Sequence, residues 1–247
     1  MLRISIHTII IFCCLYGHPS GAQTKRNVEI RMNHFVGSGK LAPGIIYKNS
    51  LGETYTIGRF KYYVSGIRLI SAADNQEFET GNQCFLVNDD DEQSKTISLE
   101  VPEGNYTAIS FLLGVDSLHN VSGAQTGALD PVNGMFWTWN TGYVIVKLEG
   151  KSPVSTLPGN LVEYHLGGYK GPDKANRRIT LRFPKDNIEV TKKKSTVVEV
   201  KVDINSFFNG VNELPIKKYP ACTTAGSLTR QFAENYATMF SITEENK

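Results

Sequence analysis

Trp137 and Trp139 stand two residues apart beside Met135, in the stretch GMFWTWNTGYVIVKLEG from Gly134 to Gly150, and they are the two tryptophans of a 247-residue chain. In a strand, side chains at i, i+2 and i+4 share a face, so Met135, Trp137 and Trp139 would stand in one row with Phe136, Thr138 and Asn140 behind them. A row of oxidisable side chains is either a core plug or a redox and metal-binding feature. The residue types alone leave both readings open.

Imidazoles are the next source of chemistry. Val28, Ile30, Met32 and His34 alternate with Glu29, Arg31 and Asn33, which turns His34 to the apolar side of the first strand. There it is either a hydrogen-bonded core residue or a neutral ligand suited to copper or zinc. His165 lies in EYHLGG, where a strand gives way to a glycine-rich loop, and Glu163 shares its face and could orient a ring nitrogen. His119, in VDSLHN, reads as a surface loop residue. The run Asp89-Asp90-Asp91-Glu92 lacks the spacing of an EF-hand loop and reads as a solvated turn. No G-x-S-x-G elbow, H-E-x-x-H pair or phosphate-binding loop occurs, which disfavours an ordinary hydrolase.

The N-terminus sets the compartment. Arg3, an apolar run from Ile4 to Leu15 and the small residues Ser20-Gly21-Ala22 form a signal peptide over residues 1–22. No segment offers the ~20 apolar residues of a spanning helix. The expectation is an exported, periplasmic or secreted chain without a transmembrane anchor. Export leaves Cys84 and Cys222, which an oxidising compartment would bridge as a disulfide; the alternative makes Cys222 a thiolate ligand. Removing Arg3 leaves 25 Lys and Arg against 24 Asp and Glu, too even a balance for nucleic acid.

The elements that must position these residues are strands. Gly, Pro, Asn and Asp punctuate the chain about every ten residues, and the runs between are β-branched or aromatic. Expected strands are 28–35, 53–57, 60–70, 84–87, 96–101, 106–113, 136–148, 161–166, 178–183 and 197–204. Leu228, Phe232, Tyr236, Met239 and Phe240 recur at helical spacing behind Ser227, a good N-cap. The fold class is all-β: one immunoglobulin-like β-sandwich over residues 23–247, with long loops and a short C-terminal helix.

Five landmarks carry a family resemblance: NHFVG around His34, YYVSGIRL from Tyr62, VPEGNYTAISFLLGVD from Val101, GALDPVNGMFWTWNTGYVIVKLEG from Gly127, and YHLGG at His165. Together they resemble the MbnP-like proteins, periplasmic copper-binding proteins associated with methanobactin, in the broader bacterial branch of that family. The resemblance implies copper, Cu(I) or Cu(II), as the ligand. It also implies that one tryptophan is oxidised to kynurenine by a di-haem enzyme of the cytochrome c peroxidase type. Ring opening supplies an aryl amine and a ketone, whereas an indole N–H only donates. His34 and His165 then become metal ligands beside Trp137 or Trp139, with Met135 as a soft spare. Where the resemblance leads one to look for His or Met, the chain reads YPACTTAG from Tyr219, so Cys222 replaces a ligand or that part of the site is missing. The reading is a copper-binding protein for acquisition, storage or delivery, and not an enzyme. A carbohydrate-binding module with surface aromatics and a docking sandwich without metal stay open beside it.

Overall fold

A computed structural model describes residues 24–137, 142–184 and 187–243. The expected signal peptide and Trp139 lie outside these residues. Eleven strands carry the argument: β1 (Lys25–Val36), β2 (Thr54–Ser71), β3 (Cys84–Asn88), β4 (Thr96–Pro102), β5 (Gly104–Leu113), β6 (Val144–Lys151), β7 (Leu161–Gly167), β8 (Arg177–Arg182), β9 (Thr196–Asp203), β10 (Ala221–Cys222) and β11 (Phe240–Ile242).

They form two sheets, as the sandwich expectation requires. In the smaller, β1 pairs parallel with β9 and antiparallel with β4, and β11 extends β9. In the larger, the order is β8-β5-β2-β6-β7-β10, with β3 also on β2. The alternation read in β1 is realised: Val28, Ile30, Met32, His34 and Val36 are all buried. They meet Phe60, Tyr62 and Val64 of β2, Phe111 of β5 and Tyr164 of β7 in one core between the sheets. Helix α2 (Ser227–Tyr236) closes one end, setting Phe232 5.0 Å from Phe207 and 4.9 Å from Tyr164, ring centre to ring centre. Each such aromatic pair adds ~0.5–1.5 kcal/mol beyond its burial. Among the described residues no helix is long and apolar enough to cross a membrane.

Two expectations change. The strands read at 53–57 and 60–70 are one strand, β2, whose pairing with β6 slips between Ile57 and Arg59. Gly58 marks a bulge there and not a turn, as glycine inside a strand pattern often does. The long strand read at 136–148 is shorter: β6 starts at Val144, and Phe136 makes an isolated bridge to Tyr143. Trp137 N donates to Gly142 O (3.0 Å) and Val144 N to Met135 O (2.9 Å), so residues 142–144 return antiparallel beside residues 135–137. Gly142, at φ +72°, supplies the left-handed conformation this return needs.

This antiparallel return has a consequence for the large sheet's outer face. Tyr63 and Val144 point away from the main core and are covered by Val115, Leu129, Met135 and Tyr143 in a second, smaller apolar cluster. The segment that covers them begins with helix α1 (Ser117–Val121). Asn120 secures it: its side chain donates to Val115 O and Asp116 O (2.8 and 2.9 Å) and accepts from Tyr143 N at 3.0 Å.

Candidate metal centre

The outer face of β6 and β7 sets Trp137 against Gly167, two residues along β7 from His165. Tyr164 and Leu166 are fully buried in the main core, so the alternation of β7 sends His165 and Gly167 outward. A Cβ placed on Gly167 would lie 2.8 Å from Trp137 Cζ3 and 2.8 Å from Tyr143 O. The indole therefore rests against backbone two residues from His165, and only glycine permits so close an approach.

His165 is held from one side. Its Nε2 lies 2.6 Å from Glu149 Oε1, a diagonal neighbour on β6, and no described residue bonds its Nδ1. Glu149 is in turn gripped by Arg59 Nη1 at 2.6 Å, with Lys147 Nζ 3.6 Å away. Partial burial pushes the Glu149 carboxyl up, but the His165 hydrogen bond and the Lys147 and Arg59 charges outweigh it, and the net shift is downward. Lys147 also donates to Gly134 O at 2.7 Å, which ties the start of the tryptophan segment to the same face. A carboxylate fixing one ring nitrogen while the other stays open is the arrangement that orients a histidine for a metal. The expected orienter, Glu163, does not hold it; the cross-strand diagonal from Glu149 does.

His34 is placed elsewhere. It lies between the sheets, with Nδ1 2.7 Å from Asp89 Oδ1 and Nε2 3.0 Å from the Tyr62 hydroxyl. Its side chain is 1% exposed, and Phe60 and Tyr62 pack edge-on against the ring. Both ring nitrogens are engaged, and the large sheet stands between it and His165. The structure does not bring these two histidines together.

Met135 is fully buried in the outer cluster, and Trp137 packs against that cluster. Cys222 pairs with Tyr164 across β7 and β10 and faces the main core, away from His165, with Sγ 3.2 Å from the Thr229 hydroxyl. The expected Cys84–Cys222 disulfide is not formed. Both cysteines are free, because Cys84 opens β3 on the outer cluster while Cys222 faces the main core. Burial raises both thiols, with the Asp116 charge adding at Cys84, which is pushed up to about 11.

Sequence reading missed the partners more than the principals. Asp89 sits in the acidic run taken for solvated turn, yet it anchors His34 and lies 3.7 Å from Lys95 Nζ. Asp116 caps α1 by accepting from His119 N at 3.0 Å, and an Asp three residues before a polar residue was a readable N-cap signal. Glu149 carried no signal, because its role depends on strand register.

No curated protein matches the chain. Among solved structures, MbnP from Methylosinus trichosporium is similar, with a TM-score of 0.54 and 15% identity over 77% of this chain and 80% of that one, a likeness of fold. The family model of MbnP matches residues 25–224, from the first strand to beyond Cys222 and across every site residue above, and the chain belongs to the MbnP family.

Proposed function

We propose that this chain is an exported copper-binding protein that acquires, stores or delivers the ion and is not itself an enzyme. Copper is held on the outer face of the large sheet by His165 and the tryptophan segment. The observation that carries the reading is the seating of Trp137 against Gly167, two residues along β7 from a histidine whose Nε2 is held by Glu149 and whose Nδ1 has no bond among the described residues. Imidazole nitrogen and thioether sulfur both suit copper, and Met135 lies in the cluster beneath. Family membership supports copper over zinc.

An intact indole is a poor ligand, so the reading includes oxidative opening of Trp137 or Trp139 to kynurenine by a di-haem enzyme of the cytochrome c peroxidase type. Trp137, the one of the two among the described residues, is seated against Gly167. His34 serves this site as framework: a ring with both nitrogens hydrogen-bonded would have to break one buried and one part-buried bond to reach a metal. Cleavage after Ala22 would release the mature chain into the periplasm.

Peptide mass spectrometry of residues 127–150 from the native host, beside recombinant protein made without the haem partner, tests the modification. Copper titration of wild type, His165→Ala and Trp137→Phe tests the site. Intact indoles in both samples together with unchanged copper binding in both variants would return the segment to the role of a surface cover.

A further inference from the structure

The second cluster of ligand-type side chains lies at the other end of the segment that covers the outer face. Cys84 Sγ, a carboxylate oxygen of Asp116 and a ring nitrogen of His119 all lie within 4.8 Å of one another, and each residue is half-buried. We propose that these three residues form a second metal site, distinct from the copper reading at His165, that takes a borderline-soft divalent cation of the zinc type.

The donor chemistry points to that class. A thiolate, an imidazole and a carboxylate are the three ligand types zinc uses, at about 2.0–2.3 Å from the ion, and three protein ligands leave the fourth position to water. Neighbouring donors around a tetrahedral ion of that size lie roughly 3.3–3.8 Å apart, so the site closes by small side-chain rotations. Hard cations such as calcium and magnesium take oxygen donors and have no use for the sulfur.

The three residues reach this arrangement from independent parts of the fold. Cys84 opens β3 and pairs with Ser65 of β2, whose hydroxyl is bonded to Gly114 O at 2.8 Å, two residues before Asp116. Asp116 and His119 form the first turn of α1, where Asp116 accepts both His119 N and, at 2.5 Å, His119 Nδ1. That short contact sets Nδ1 and the carboxylate side by side; a bound ion would replace the proton they share, with the ring protonated at Nε2, while Asp116 keeps its cap on α1 through Oδ1. Asn120 then locks the helix to Val115 and Tyr143, so the donors sit on a braced turn. Met135 is buried in the apolar cluster against which Cys84 packs, which walls the sulfur side of the site from water. On binding, the Cys84 thiol gives its proton to solvent and the sulfur lone pair to the ion.

Cobalt(II), a spectroscopic stand-in for zinc, tests this in the full reduced protein. A thiolate-to-cobalt charge-transfer band should grow to saturation at one equivalent and collapse when zinc is added. Cys84→Ser should abolish the band, and His119→Gln should weaken binding tenfold or more. His165→Ala should keep the band whatever its effect on copper, so failure here is separable from failure of the copper reading. Absence of the band in wild type overturns the proposal. So does a band that survives Cys84→Ser and disappears in Cys222→Ser.

Discussion

His34 and His165 are both strand histidines with a carboxylate on one ring nitrogen, yet the two faces of the large sheet give them opposite chemistry. On the inner face, Asp89 and the Tyr62 hydroxyl take both nitrogens of His34, and two aromatic rings close around it. On the outer face, Glu149 takes one nitrogen of His165 and the other has no bond among the described residues. Binding capacity follows the unspent donor, not the residue type. A saturated imidazole is a structural bolt, and a half-spent one beside a ring resting on glycine is a place for a ligand.

The largest effect should come from removing the bolt. His34→Ala leaves Asp89 and Tyr62 without their buried partner and opens a cavity between the sheets, which should lower stability by ~3–5 kcal/mol. Chemical denaturation measures it. The variant should bind copper like wild type wherever it remains folded. Unchanged stability with lost copper binding would invert the comparison. His165→Ala should do the reverse: copper affinity falls about a hundredfold, ~2.7 kcal/mol, while stability stays within ~0.5 kcal/mol of wild type, as for a surface substitution. Metal titration and denaturation of the same sample separate the two effects.

Why His34 was readable as buried, but not as saturated, lies in what alternation can carry. Period two placed Val28, Ile30, Met32 and His34 on the core side, and β1 has that pattern. It says nothing of Asp89 or Tyr62, 55 and 28 residues away, which meet His34 through the packing of two sheets. The strands of the sandwich and the docked face of α2 were legible because each is a local periodic signal. The antiparallel pairing of residues 135–137 with residues 142–144 was not, because the β-rich composition of the stretch reads as one continuous strand. The meeting of Trp137 with Gly167, and of Cys84 with Asp116 and His119, depends on long-range register that one sequence does not display. The paired-cysteine argument failed for the same reason: an even count states an opportunity, and topology assigned the two thiols to separate clusters.

The seat of Trp137 offers a sharper test of the outer face. In Gly167→Ala the new methyl would lie 2.8 Å from both the indole and the Tyr143 carbonyl. The carbonyl is backbone and cannot swing away, so the indole must move. We expect a stability loss of ~1–3 kcal/mol, typical of overpacking, and altered tryptophan fluorescence. Copper affinity should fall with the displaced ring although neither His165 nor Glu149 has changed. If affinity holds while fluorescence shifts, the ring is a cover and His165 binds without it.

The smallest effect concerns the carboxylate that aims His165. Glu149 has its pKa lowered on folding, since His165, Lys147 and Arg59 together outweigh the upward push of burial. A depressed carboxyl contributes stability above its unfolded pKa and loses that contribution as pH falls through the folded value. The Glu149 side chain is 24% exposed and that of its partner Arg59 47%, so solvent screening discounts the contribution to about 1 kcal/mol or less. In the copper-free protein, Glu149→Gln should therefore be slightly less stable than wild type at neutral pH, and the gap should close as the solution is acidified below the ordinary carboxyl range. Thermal denaturation of both proteins across that range measures it. A gap that widens on acidification would mean that Glu149 is held neutral, and a neutral acid would compete for the histidine in a different way: it would donate to Nε2 and leave Nδ1 protonated, closing the nitrogen on which the copper reading depends.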